Sequence, residues 1–245
     1  MFRFGEKRLW KTIFVMGTSY LTHTTSTILK EAQEHKDILQ GDFPDSKYED
    51  TRKFKLGMSW LHTHIGTCKP QFVLKTQDNI FHNMFSIIDW LGKKFVPIPD
   101  TLYMGRILRD NGPIRDPANP LYVPYNDYAP NKFPPMIEGP VYLFNYETYN
   151  TISNHMSTVT AIAMEDGYIA AVAARIGLQA VHNDHFMLLR QSHNHCHNLR
   201  LFFLYDMSAG AQRTAFDENK NARNSKQCKN AKVVEKDGRQ VNIEM

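Results

Sequence analysis

Over the first hundred residues, short apolar runs alternate with longer stretches whose apolar positions recur at helical spacing. Residues 13–16, Ile-Phe-Val-Met, read as a buried strand ending at Gly17. Residues 24–35 carry Ile28, Leu29 and Ala32 on one side, the pattern of an amphipathic helix capped by a threonine. Residues 37–40 give a short second strand, closed by Gly41-Asp42-Phe43-Pro44-Asp45-Ser46, which is loop chemistry. Residues 48–64 place Phe54, Leu56, Met58, Trp60 and Leu61 at irregular but helix-like intervals. Phe72-Val73-Leu74 is another buried strand. It breaks into Lys75-Thr76-Gln77-Asp78-Asn79, and Asn83 opens a helix carrying Met84, Phe85, Ile87, Ile88, Trp90 and Leu91. The alternation predicts an α/β fold of strand–helix–strand units, with a mainly parallel central sheet flanked by helices.

The second half has a different rhythm. Residues 102–108 read as a strand, and residues 111–140 are then punctuated by Pro, Asn, Gly and Tyr. Aromatics scattered through that Pro/Tyr-rich stretch mark it as a functional loop region rather than a linker. Residues 141–144 are a strand, 147–155 a helix, and 168–176 a helix with Gly177 as its C-cap residue. Residues 199–205 form a strongly apolar strand. From residue 208 onward Lys, Arg, Asn and Gln dominate, which predicts a flexible polar tail over 208–245. The ordered part, 1–207, reads as a single domain.

Composition narrows the functional classes. Of 245 residues, 42% are hydrophobic and 12% aromatic, enough for a substantial core. The formal charge of +4 is mild, and no basic stripe interleaves with aromatics, which argues against a dedicated nucleic-acid binder. Cys68, Cys196 and Cys228 permit one internal disulfide at most, and no Cys-x-x-Cys pair marks a structural zinc site. No run reaches the roughly 18 apolar residues of a membrane span. The charged first ten residues lack the apolar centre of a secretory signal, and the abrupt entry into a strand suggests that an upstream segment is missing.

Three places carry candidate chemistry. Asp78, at the end of the 72–74 strand between the amides Gln77 and Asn79, sits where open α/β sheets place ligands. An acid there holds a divalent metal or a ribose hydroxyl; alternatively, Asp78 and Asn79 only make the turn and cap the next helix. Glu165-Asp166, ahead of a helix, is a candidate general base, with helix capping by Asp166 as the plainer alternative. His182, His185, His193, His195 and His197 crowd together, and the last three share one face of a strand. A metal row or a polar loop before a strand both account for them. His62 and His64 read as surface or partly buried helix residues.

Taken in order, these stretches resemble the β1,3-galactosyltransferase family of GT-A glycosyltransferases, which includes β1,3-N-acetylglucosaminyltransferases. The match runs from about residue 13 to residue 207. The family's acidic box "DI-x-Q-x-DF-x-DSY" is met by Asp37-Ile38-Leu39-Gln40-Gly41-Asp42-Phe43-Pro44-Asp45-Ser46, with Tyr48 after an insertion. Asp50-Thr51-Arg52-Lys53 through Gly57 and Trp60 follow "N-L-T-x-K-T-x-x-G-x-x-W" with one residue lost. "F-V-L-K-T-D-D-D-x-F" becomes Phe72-Val73-Leu74-Lys75-Thr76-Gln77-Asp78-Asn79-Ile80-Phe81. Arg115 to Tyr128 resemble "R-x-P-x-x-Y-V-P-x-x-x-Y", and Phe133 to Tyr142 resemble "Y-P-P-Y-x-S-G-x-G-Y". Glu165-Asp166-Gly167-Tyr168-Ile169-Ala170 answers "E-D-V-Y-x-G".

The resemblance implies a GT-A, Rossmann-like domain, with residues 1–100 on the nucleotide-sugar side and 101–207 on the acceptor side. It implies an inverting hexosyltransferase that moves galactose or N-acetylglucosamine from a UDP-sugar to an acceptor glycan hydroxyl in a β1,3 linkage. Asp166 is then the base, with Lys75, Gln77, Asp78, Asn79 and Glu165 on the donor. Mn²⁺ is implied at Asp78 and Asn79, assisting departure of the diphosphate. The chain departs from the family on this chemistry: Gln77 and Asn79 replace two acids, and Tyr205 stands where a late histidine completes the metal site. A catalytically impaired member, acting as a glycan- or nucleotide-binding protein or as a partner, is the alternative reading. Family members are anchored Golgi proteins, so the Golgi lumen and a Cys68–Cys196 disulfide are expectations by resemblance.

Overall fold

A computed structural model describes residues 10–64, 69–190 and 201–222, with Cys196, Asn198 and four short strands outside those ranges. In chain order the strands are β1 (Arg3–Phe4), β2 (Lys7–Arg8), β3 (Phe14–Thr18), β4 (Ile38–Pro44), β5 (Phe72–Lys75), β6 (Phe81–His82), β7 (Tyr103–Leu108), β8 (Met136–Asn145), β9 (Val181–His182), β10 (Phe203–Leu204), β11 (Val233–Val234) and β12 (Gln240–Val241). The helices are α1 (Thr22–His35), α2 (Asp50–His64), α3 (Met84–Lys94), α4 (Tyr146–His155), α5 (Glu165–Arg175) and α6 (Ala209–Ala222). The fold is mixed α/β. Two compact units interleave along the chain: 1–70, 109–136 and 146–179 form the first, and 71–108, 137–145 and 180–245 the second.

In the first unit β3 and β4 run parallel, pairing Phe14 with Ile38, Val15 with Leu39 and Met16 with Gln40. The pairing resumes at Thr18 and Pro44, so β4 extends through residues that the sequence assigns to a loop. Asp45 explains the extension: its carboxylate accepts from Gly17 N at 3.3 Å and pairs with Lys53 Nζ at 2.6 Å. α2 packs on β3, α4 and α5. Phe54 and Met58, four residues apart on α2, supply its buried stripe. The buried hydroxyls on these helices donate to backbone carbonyls: Thr51 to Ile162 (2.6 Å), Tyr149 to Met58 (2.8 Å) and Tyr168 to Met156 (2.5 Å). Desolvation pushes the Tyr168 phenol up to about 12, so it stays a donor.

In the second unit the sheet order is β5-β8-β7-β9. β5 and β8 are antiparallel, from Phe72 opposite Asn145 to Lys75 opposite Tyr142, whereas β7 and β9 are parallel. The sheet is therefore mixed, which corrects the expectation of a mainly parallel one. The alternation of short strands with helices carried that expectation, and it does not encode the direction of a strand such as 141–144, whose two covered faces remove polar alternation. β8 is covered on both faces, with Val141, Tyr142, Leu143 and Phe144 at most 1% exposed, yet it lies antiparallel to β5. Ile80, Ile87, Leu102, Met104, Phe186 and Phe203 build the adjoining core with it.

α6 overturns part of the flexible-tail expectation. Ser208 caps it, its hydroxyl accepting from Ala211 N at 3.3 Å. Ala211, Ala215 and Phe216 face Phe81, Leu201, Leu204 and Met207. A stripe that narrow is swamped by polar neighbours when composition is read over the whole segment. Of the apolar stretch 199–205, Phe203 and Leu204 are the strand residues among those described, antiparallel to β6. Residues 223–232 and 242–245 lie outside the described residues.

Candidate functional site

The polar turn after β5 is held from both sides. Ile80 N donates to Gln77 O at 3.3 Å and closes it, and Ile80 itself is buried at 1% exposure. Gln77, Asp78 and Asn79 are exposed. Across its base the side chains of Thr76 and His82 are hydrogen-bonded, Oγ1 to Nε2, at 2.6 Å. Burial lowers His82 to about 4, and the Phe203 ring lies edge-on at 5.9 Å, so the imidazole is neutral at neutral pH. Beyond the turn, Met207 N donates to Asn79 O at 2.9 Å, and Gln212 Nε2 donates to Asp78 O at 2.7 Å. Lys75, the last residue of β5, sits with Nζ 4.9 Å from the centre of the buried Tyr142 ring.

The turn is not the cap of α3. That cap is Asn83, whose side chain accepts from Ser86 N at 3.4 Å. Asp78 and Asn79 therefore make a turn, and their capping alternative is corrected.

The carboxylates of the first unit have a different setting. α5 begins after Met164, so Glu165 and Asp166 occupy its first turn rather than its cap position. Glu165 is buried at 7% exposure and Asp166 is half-buried. Gly167 comes next, and a Cβ there would lie 2.5 Å from the Phe133 ring, so only glycine admits that ring. Phe133 is itself buried and tilted onto Tyr128 at 4.8 Å. At the other end Gly177, at φ 71°, closes α5 as expected.

Arg115 organises the loop that delivers Phe133. Its guanidinium donates to the carbonyls of Val123 (2.6 Å), Tyr128 (2.6 Å) and Pro130 (2.8 Å), and lies 3.9 Å from the Tyr125 ring centre. Arg115 lies within a sequence motif that assigns it no task. An arginine amid Pro and Tyr, where few N–H donors remain for the loop's carbonyls, was the available signal.

His193, His195 and His197 lie outside the described residues. His182 Nδ1 accepts from Ile107 N at 3.1 Å, which leaves Nε2 to donate to Asp184 Oδ1 at 3.0 Å. His185 stacks on Phe202 at 4.4 Å, and burial lowers its pKa. His62 and His64 are exposed helix residues. Cys196 is disulfide-bonded, and both other cysteines lie outside the described residues. Tyr205 accepts from Arg190 Nε at 3.3 Å. Among the described residues no three His, Cys, Asp or Glu side chains group as a metal ion requires. One carboxylate and one amide in an exposed turn do not fit a resident divalent cation, which wants several oxygen donors.

A buried Glu beside a half-buried Asp at the start of a helix is a pair able to take up the proton of a hydroxyl. The sequence model of the galactosyltransferase family matches residues 5–184. The chain belongs to that family. It is 29% identical to human beta-1,3-galactosyltransferase 5 over 171 residues, covering 69% of this chain and 53% of the relative. It is 26% identical to mouse beta-1,3-galactosyltransferase 1 over 197 residues, covering 80% and 60%. The chain thus spans between half and two thirds of the length of these relatives. No helix among the described residues is long and apolar enough to cross a membrane.

Proposed function

We propose that the chain acts as a glycosyltransferase, moving galactose or N-acetylglucosamine from a UDP-sugar to a glycan hydroxyl with inversion and a β1,3 linkage. The observation that carries the reading is the pair of glutamate and aspartate on the first turn of α5 within the matched galactosyltransferase region. Asp166 takes the proton of the acceptor hydroxyl as its oxygen attacks the anomeric carbon; the bond from that carbon to UDP breaks, and UDP leaves with the electron pair. Glu165, buried one residue away, binds the donor. Lys75, Gln77, Asp78 and Asn79 contact the donor in a domain of GT-A type, and departure of UDP does not depend on a resident Mn²⁺, which one carboxylate and one amide do not fit. The Golgi lumen is the compartment that suits this activity.

Transfer from UDP-galactose and UDP-N-acetylglucosamine to acceptor glycans tests the reading. Turnover that falls by about a hundredfold or more in Asp166→Asn supports Asp166 as base. Turnover unchanged by that substitution overturns it. The single acid in the turn favours a second reading, a binding or partner protein. That reading predicts UDP binding without turnover.

A further inference from the structure

We propose that Gln212 is a positioning residue for the donor turn, acting from α6, outside the segment that the family sequence model matches. The inference rests on the donor reading above. Three backbone carbonyls are the basis. Gln212 Nε2 donates to Asp78 O at 2.7 Å and to Met207 O at 3.2 Å, so one side-chain amide joins the turn to the segment leading into α6. Met207 N then donates to Asn79 O at 2.9 Å, adding a backbone tie beside it.

The approach to that tie is itself shaped. Asp206 has φ 60°, a left-handed conformation that aspartate tolerates better than most residues. Arg190 Nη2 donates to its carboxylate at 2.6 Å, and Tyr205 N donates to Leu189 O at 3.1 Å. Gln212 itself is presented by a helix capped at Ser208 and seated through Ala211, Ala215 and Phe216. The turn's exposed side chains thus stand on a backbone whose outward carbonyls are already occupied. Without Gln212, Asp78 O loses this partner, and the exposed turn gains freedom that ligand binding must then remove.

Gln212→Glu separates positioning from helix stability, because glutamate matches glutamine in size and helix propensity but cannot donate as a carboxylate. Amide hydrogen exchange of Ile80 and Met207 is expected to quicken about fivefold, with α6 amides beyond residue 214 unchanged. Calorimetry with UDP is expected to show affinity weakened about fivefold at unchanged Tm. Gln212→Ala should behave alike. Unchanged exchange overturns the tie. Faster exchange with unchanged UDP affinity overturns the positioning role. Wild-type chain that binds no UDP overturns the donor reading itself, whatever the exchange rates are.

Discussion

The two carboxylate-bearing turns are built in opposite ways. The Gln77–Asn79 turn holds its backbone by hydrogen bonds and leaves its residues exposed, whereas Glu165 and Asp166 begin a helix whose third residue is pressed by a buried ring. The difference bears on what each turn tolerates. Gln77 and Asn79 are both exposed, so exchanging amide for acid there leaves packing untouched. Glu165-Asp166 adjoins Gly167 and Phe133, where a change of volume is felt at once. Packing constrains the side chains of the second turn and leaves those of the first unconstrained.

The largest expected effect is on the packed side. Arg115→Ala removes three short hydrogen bonds and a stacked ring, and should destabilise the chain by about 3 kcal/mol, given that each charged bond contributes on the order of 1 to 2. Urea unfolding measures it. A loss below about 0.5 kcal/mol, ordinary for a surface change, would remove the claim that the loop is braced by one side chain.

Acid should act next, and on the exposed side. The folded value of His82, about 4, lies below the ordinary 6.5, so the unfolded chain takes up the extra proton between them. Stability is complete above pH 6.5 and falls as the pH drops toward 4, by about 2 kcal/mol on reaching pH 5. Comparing urea midpoints at pH 7.5 and pH 5 for wild type and His82→Gln isolates the contribution. Equal losses in both would show that the base of the turn is not what acid attacks.

Gly167→Val, which adds a branched side chain where the ring of Phe133 lies, sharpens the contrast. Overpacking against Phe133 costs about 1 to 3 kcal/mol, and helix propensity returns only a few tenths. A net loss of about 1 kcal/mol is expected, with slower turnover as Asp166 shifts. Stability equal to or above wild type would mean that Phe133 yields without cost.

How much of this was legible depends on range. β3, β5, α3 and the Gly177 cap follow from local periodicity and turn chemistry, and the structure has them within a few residues. The antiparallel direction of β8 against β5 was not legible, because a doubly buried strand reads alike in either direction. The two acidic stretches were legible in the sequence. Their supports were not: Arg115 acts on carbonyls up to fifteen residues away, and Gln212 on one 134 residues away. Contacts with backbone oxygen leave almost no side-chain pattern, since every residue but its neighbours offers the same acceptor.

Asp78→Asn should have the smallest effect, and it decides what the exposed turn is. The side chain is exposed, so stability should stay within about 0.5 kcal/mol of wild type. If Asp78 holds a donor hydroxyl, the amide oxygen still accepts, and only the charge-assisted part of one hydrogen bond is lost. UDP affinity then falls about threefold, equally with Mn²⁺ and with a chelator present. If instead Asp78 anchors a divalent ion, the substitution removes the turn's one anionic donor. Affinity would then fall by about a hundredfold with Mn²⁺ and hardly at all in chelator, and the turn would have to be counted as a metal site despite its single acid.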